Sequence, residues 1–265
     1  MAETLLHPPG TFCWHEVGVR NPDQAKQFYT SLFGWQTRDN DMGEHGVYTL
    51  LLIDGQDIGG LYSLNHEMFA GVPPHWLPYI AVADINASTE AARNLGAKIN
   101  MGPMDVPDVG RMTMLQDPQG AHFALYEAGK HRGEAKLGAV PGRFCWNELA
   151  TSDTAAATSF YTQLFGWKTH LQQMGPMEYT TWVLAGPVGG MMPLPAELAG
   201  APPYWMTYVA VDGCDASAAK AVELGGSVHL QPTDLPGVGR FAVIADPDGA
   251  VFSIIQLSMA DSGGQ

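Results

Sequence analysis

GTFCWHEVGVRNPDQAKQFYTSLFGWQT, residues 10–37, returns at 142–169 as GRFCWNELATSDTAAATSFYTQLFGWKT. The copies align without a gap and share Phe12/Phe144, Cys13/Cys145, Trp14/Trp146, Glu16/Glu148, Phe28/Phe160, Tyr29/Tyr161 and the LFGW of 32–35 and 164–167. Further along, Gly59-Gly60 matches Gly189-Gly190, Trp76 matches Trp205, Tyr79 matches Tyr208, and Gly110-Arg111 matches Gly239-Arg240. DPQGA of 117–121 matches DPDGA of 246–250. The offset drifts by a few residues only, so insertions fall in loops. A repeat of this length sets the architecture before any single residue does. The chain is two copies of one module, 1–127 and 142–258, with a linker at 128–141 and a tail at 259–265.

Inside the first copy, Phe12, Trp14, Glu16 and Gly18 alternate on one face of a strand over about 11–19, and Cys13, His15, Val17 and Val19 on the other. Asn21-Pro22 then reads as an N-cap followed by proline at the first helical position. Ala25, Phe28, Tyr29, Leu32 and Phe33 form a buried helical stripe that Gly34 ends. Strands follow at 35–38, 47–53 and 58–64, with Asp54-Gly55 as the hairpin turn. After the loop NHEMFAGVPPH the order recurs: a strand at 77–82, a helix capped by Asp84 and stopped by Gly96, then strands at 97–103, 110–116 and 121–127. Each module is therefore two βαβββ halves. The fold class is α+β, with an eight-stranded mixed sheet per module, helices on one face and a cupped opposite face.

Composition narrows the function. A net charge of −14 and a pI near 4.8 repel nucleic acid and anionic membrane surfaces alike. The N-terminus lacks a basic stretch followed by an apolar one, and no apolar run spans a bilayer, so a cytoplasmic location is expected. Of three cysteines, Cys13 and Cys145 occupy one position of the repeat between aromatics and read as small buried hydrophobes rather than disulfide partners.

The W-x-E strand, the FYxxLFGW helix end, the YIAVADI or YVAVDGC strand and the DPxGA turn together resemble the vicinal oxygen chelate superfamily. Nearly the whole chain is similar to its two-module glyoxalase/bleomycin-resistance-like proteins, in a branch labelled 27-kDa-antigen-like or hydroxylase-like. The resemblance implies tandem glyoxalase/bleomycin-resistance/dioxygenase-type modules; it does not imply one reaction, since the scaffold hosts many. It also implies where a divalent metal would be held: a His, Gln or Glu on the first strand, a His on the fifth and a Glu on the eighth. Those places carry Trp14, Leu77 and Ala124 in the first module, and Trp146, Met206 and Ser253 in the second. Such side chains do not furnish the converging N/O donors that a divalent ion requires. The expectation is no metal and no other cofactor, a divalent metal being the alternative.

What strand parity turns toward the cup instead is Trp14, Glu16 and Tyr79 in one module, and Trp146, Glu148 and Tyr208 in the other. Tyr48 and Tyr179 stand nearby on the third strand, and His122 faces inward near the end of the first module. Trp76, Trp205, Arg111 and Arg240 complete the expected ligand contacts. Aromatic walls with a few polar groups suit a small-molecule pocket. A carboxylate buried among aromatics has a raised pKa, which suits acid–base work, so Glu16, Glu148 and His122 are the catalytic candidates. The competing structural reading pairs Glu16 with Arg111 and Glu148 with Arg240 as buried ion pairs, and leaves His122 as an interior histidine. His7, His45, His66, His75, His131, His170 and His229 lie in loops or on exposed faces and receive no role. His15, His122 and the NHEMFAGVPPH loop, absent from the second module, favour the first as the acid–base site.

Three functions fit: a metal-free enzyme moving a proton on a small aromatic or carbonyl-bearing metabolite, a module that sequesters a planar antibiotic-like ligand, and a metal-dependent glyoxalase or dioxygenase. The partner in each is a small molecule. Pairing modules within one chain makes a monomer sufficient, with a homodimer as the alternative.

Overall fold

The computed structural model describes residues 7–43, 46–135, 140–174 and 177–258. His45, the 259–265 tail and linker residues 136–139 lie outside them. The described residues hold sixteen strands and four helices. The first repeat runs β1 (Phe12–Val19), α1 (Pro22–Phe33), β2 (Gln36–Asp41), β3 (Val47–Ile53), β4 (Gln56–Ser63), β5 (His75–Ala81), α2 (Ile85–Asn94), β6 (Lys98–Val106), β7 (Gly110–Gln116) and β8 (His122–Ala128). The second runs β9 (Phe144–Thr151), α3 (Thr154–Phe165), β10 (Lys168–Met174), β11 (Met177–Val183), β12 (Pro187–Pro193), β13 (Tyr204–Ala210), α4 (Cys214–Glu223), β14 (Ser227–Leu235), β15 (Gly239–Ala245) and β16 (Val251–Leu257). The strands form two eight-stranded mixed sheets, β2-β3-β4-β1-β5-β8-β7-β6 and β10-β11-β12-β9-β13-β16-β15-β14. This is the expected fold class, realised twice.

Local chemistry places the elements. The Asn21 side chain accepts from the Gln24 backbone N–H at the start of α1, and Asp84 does the same for Ala87 at the start of α2. Losing either cap costs about 1 kcal/mol. Gly34 and Gly166 end α1 and α3 in the left-handed region, at φ 72° and 70°, where a Cβ is penalised. Asp54 and Gly55 both have positive φ and join β3 to β4 in a two-residue turn. Several strands begin elsewhere than periodicity predicts, β4 among them, at Gln56 rather than Ile58. β2 starts after Trp35, whose ring is drawn into the core, and β5 starts at His75 rather than Leu77.

By contacts the described chain divides into two compact units, and each unit draws on both repeats. Among the described residues, one comprises 7–15, 77–135 and 146–206; the other comprises 16–76, 140–145 and 207–258. In the second of these, the α1 stripe of Ala25, Phe28, Tyr29 and Leu32 packs with Trp35, Trp76, Phe144 and the β15–β16 residues Ile244 and Phe252. In the first, α3 supplies Phe160 and Tyr161 to a core with Trp167, Trp205, Phe12 and Phe123. Phe12 alternates with Trp14 along β1 yet enters this core, edge-on to Trp205 at 5.3 Å. Phe144 does the equivalent against Trp76 at 5.3 Å. Trp76 and Trp205, expected as ligand contacts, are thus buried core residues. Among the described residues no helix is long and apolar enough to cross a membrane.

The two DPxGA turns explain why the repeat keeps its tyrosine. The Asp246 carboxylate accepts from the N–H groups of Asp248 and Ala250 and from the hydroxyl of Tyr29. The Asp117 carboxylate accepts from Gln119, Gly120 and Ala121 and from Tyr161. Behind each tyrosine a tryptophan donates its indole N–H to the same hydroxyl, Trp76 to Tyr29 (3.1 Å) and Trp205 to Tyr161 (3.0 Å). A buried carboxylate is costly unless donors surround it, and this arrangement supplies them.

Candidate functional site

Glu16 on β1 faces Gly60 on β4 across a parallel register, and Glu148 on β9 faces Gly190 on β12 in the same way. Both glutamates are 8% exposed. Tyr48 on β3 reaches over the missing side chain of Gly60 and donates its hydroxyl proton to Glu16 Oε1 at 2.6 Å. Tyr179 on β11 does the same over Gly190 and donates to Glu148. A Cβ at either glycine would overlap the tyrosine hydroxyl. That close approach accounts for the second glycine of each repeated Gly-Gly.

The surroundings of the two pairs differ. In the second repeat Trp146 is half-buried, and its indole N–H donates to the Tyr179 hydroxyl at 2.8 Å, so the line runs Trp146 to Tyr179 to Glu148. Tyr204, at the head of β13, stands close enough for the Glu148 charge to reach it. Burial first, and then the Glu148 charge, push the hydroxyl pKa values of Tyr179 and Tyr204 upward. In the first repeat Tyr62 lies opposite Tyr48 in the β3–β4 register. Burial and the Glu16 charge raise its pKa as well. Next to it is His75, whose Nε2 is 3.5 Å from the Tyr62 hydroxyl and whose imidazolium form is disfavoured by burial.

The other expected residues are placed as follows. Arg111 donates to Asp105 and Asn86, and Arg240 to Asp215 and Asp234. The anticipated Glu16–Arg111 and Glu148–Arg240 ion pairs are therefore replaced by Glu–Tyr hydrogen bonds, because the arginines are taken by exposed carboxylates on the neighbouring helix and strand. His122 is exposed, with its ring nitrogens in range of Gln116 and Asn100. His15 is fully buried on the face opposite Glu16, its Nε2 3.1 Å from Asn147 Oδ1 and its Nδ1 3.6 Å from Glu134. Trp14 meets the ring of His131 edge-on at 4.7 Å, and Tyr79 and Tyr208 are buried. A separate cavity of about 240 Å³, lined by Cys13, Ala81, Tyr126 and Arg132 among others, includes neither Glu–Tyr pair.

Sequence reading missed Tyr62 and His75. His75 follows Pro73-Pro74 and reads as loop, but it opens β5. The available signal for Tyr62 was Gly18, a gap on the Glu16 face of β1 that the Tyr62 ring covers.

Of the six places implied for metal ligands, only Ser253 brings an oxygen, a single neutral hydroxyl where a divalent cation needs several converging donors. Trp14 and Trp146 present N–H donors without a lone pair, and Leu77, Ala124 and Met206 bring no nitrogen or oxygen. Among the described residues no three His, Cys, Asp or Glu side chains converge.

Comparison with known proteins agrees with this architecture. Residues 12–125 and 143–254 match the Glyoxalase/Bleomycin resistance protein/Dioxygenase superfamily. The chain is 38% identical over 250 residues to "Putative glyoxylase CFP32" of Mycobacterium bovis, covering 93% of this chain and 95% of that protein. It is 35% identical over 263 residues to the anthracycline biosynthesis protein DnrV of Streptomyces peucetius, covering 94% of each. In structure it is similar to the Mn(II)-bound glyoxalase of Novosphingobium aromaticivorans, with a TM-score of 0.64 at 17% identity over 96% of this chain and 84% of that one, a likeness of fold. Its duplicated motifs, its two mixed sheets and its matched relatives make the chain a member of the glyoxalase/bleomycin resistance protein/dioxygenase superfamily.

Proposed function

We propose that this protein takes a small, partly aromatic or carbonyl-bearing molecule at its Glu–Tyr pairs and acts on it by proton transfer, without a resident metal. The observation that carries this reading is the duplicated pair itself: a nearly buried carboxylate joined to a tyrosine hydroxyl across a glycine, with further aromatic rings beside it. In the step, Glu16 or Glu148 accepts a proton from a carbon next to the ligand carbonyl. The C–H electron pair moves into the new carbon–carbon double bond, and Tyr48 or Tyr179 donates a hydrogen bond to the enolate oxygen. With an α-hydroxy carbonyl ligand, the hydroxyl proton passes to the enolate oxygen, the hydroxyl electrons form the new carbonyl, and the glutamic acid returns its proton to the former carbonyl carbon, an isomerisation that needs no oxidant. Relatives named for glyoxylase and for anthracycline biosynthesis fit a site for carbonyl-bearing or aromatic small molecules.

A second reading, stoichiometric capture of a planar ligand, draws on the Trp146–Tyr179–Glu148 line, which holds the wall of the second site in a fixed hydrogen-bonded chain. The two separate in one experiment. 2-Hydroxyacetophenone and a panel of other aromatic α-hydroxy ketones are incubated with wild type and with the double variant Glu16→Gln/Glu148→Gln. Turnover that falls at least about a hundredfold in the variant supports the enzyme. Stoichiometric binding that both proteins share supports capture. Activity that appears only with a stoichiometric divalent ion overturns the metal-free reading.

A further inference from the structure

The site around Glu16 has a wall that the second repeat lacks. Arg20, the residue after β1, donates from Nη1 to the Leu64 carbonyl (2.6 Å) and from Nη2 to the Val72 carbonyl (2.7 Å). Asn65 returns a hydrogen bond to the Arg20 carbonyl at 2.8 Å. A guanidinium is a rigid fork of donors, so two of its arms on Leu64 and Val72 draw that segment into a closed loop. From the loop Phe69 packs on the Tyr62 ring, centroids 5.4 Å apart. Just beyond it, the Pro73 carbonyl lies 2.8 Å from His75 Nδ1.

The last contact settles the tautomer. A carbonyl oxygen only accepts, so Nδ1 carries the proton, and in a neutral imidazole Nε2 is then the acceptor. Burial disfavours the imidazolium form. The acceptor therefore points at the Tyr62 hydroxyl, in a wall made of Tyr62 and Phe69. At the matching places the second repeat has Ser152 for Arg20, Met192 for Tyr62 and Tyr204 for His75. It has the glutamate and its tyrosine but no imidazole acceptor.

Building on the Glu–Tyr reading, we propose that His75 is a specificity-determining acceptor of the first-repeat site, which selects planar aromatic ligands bearing a free hydroxyl, and that Arg20 is the positioning residue that holds it. A ligand hydroxyl donates to Nε2 directly, or to the Tyr62 oxygen while Tyr62 donates to Nε2. A masked hydroxyl has no proton to give, so neither the half-buried Nε2 nor the Tyr62 oxygen gains a donor from the ligand. One such loss is worth about tenfold in affinity.

Calorimetry with β-naphthol and its methyl ether tests this. Wild type is expected to prefer the naphthol by about tenfold. His75→Phe removes the preference, His75→Gln retains part of it through an amide oxygen, and Tyr204→Phe in the second repeat leaves it intact. Arg20→Met, with a thermal midpoint showing that the variant is folded, also loses the preference, a change that a merely structural role would not produce. Equal binding of the two probes by wild type, or a preference untouched by His75→Phe, overturns the inference and leaves the Glu–Tyr reading standing. Failure of both probes to bind overturns this inference alone, since the Glu–Tyr reading stands or falls on turnover of the α-hydroxy ketones.

Discussion

Tyr29, in the helix of the first repeat, donates its hydroxyl proton to Asp246, in the last turn of the second, at 2.9 Å. Burial outweighs the hydrogen bonds at this carboxyl and at Asp117, its counterpart, and raises both above the ordinary aspartate value. A raised carboxyl keeps in the folded chain a proton that the unfolded chain has already released. Its contribution is thus fully present below the unfolded pKa of about 4 and is lost as pH rises through the folded value. Asn at this position accepts from the turn through its amide oxygen and offers an amide N–H to the Tyr29 hydroxyl oxygen, and it does not titrate. Urea unfolding between pH 4 and pH 7 should therefore show Asp246→Asn gaining on wild type as pH increases. A difference that stays constant with pH would contradict the assignment.

Gly60→Ala and Gly190→Ala should each drive a tyrosine off its glutamate, since the added methyl overlaps the hydroxyl of Tyr48 or Tyr179. Overpacking of this kind costs about 1–3 kcal/mol, read as a lower denaturation midpoint. Ligand binding at the affected repeat should fall with it. A crystal structure of Gly60→Ala with the Tyr48–Glu16 hydrogen bond intact would show that the glycine has another purpose.

The thiols should be inert in the folded protein. Cys13 is buried and its pKa pushed well up by burial, burial raises that of Cys145 to about 12, and Cys214 is raised to about 11. At pH 8 a thiol of pKa 12 is ionised in about one molecule in ten thousand. Alkylation followed by mass spectrometry should find little modification before denaturation and three modified cysteines after it.

Metal addition should leave stability unchanged. A site filled at a hundred times its Kd would add about 2.7 kcal/mol, several degrees in Tm for a chain of this size. Thermal scans after EDTA dialysis, and again with millimolar Mn²⁺, Ni²⁺ or Zn²⁺, are expected to coincide. A saturable rise with any one ion would return the metal-dependent readings to consideration.

Duplication and periodicity made the fold legible: the Ala25–Leu32 stripe, the Asn21 and Asp84 caps and the Asp54-Gly55 turn stand where local chemistry puts them. Glu16 and Glu148 were found by alternation alone. Tyr48 and Tyr179 were placed near them, but the hydrogen-bonded pairing was not read, because strand parity gives a face and no distance. Arg111 and Arg240 were assigned to the glutamates on charge, whereas acidic residues nearer in space, Asp105 for one and Asp215 for the other, hold them. Phe12 broke parity at a strand end, where packing between Trp167 and Trp205 outweighs alternation. His75 was hidden by the prolines before it, and its link to Arg20 runs through backbone carbonyls that no side-chain pattern announces.

Each compact unit is stitched from half of either repeat, with a tyrosine from one half hooked on an aspartate from the other. Expressed alone, one repeat would own two unfinished interiors and no finished one. A lone repeat could complete them only with the missing halves of a second molecule, whereas one chain carrying both repeats supplies them to itself.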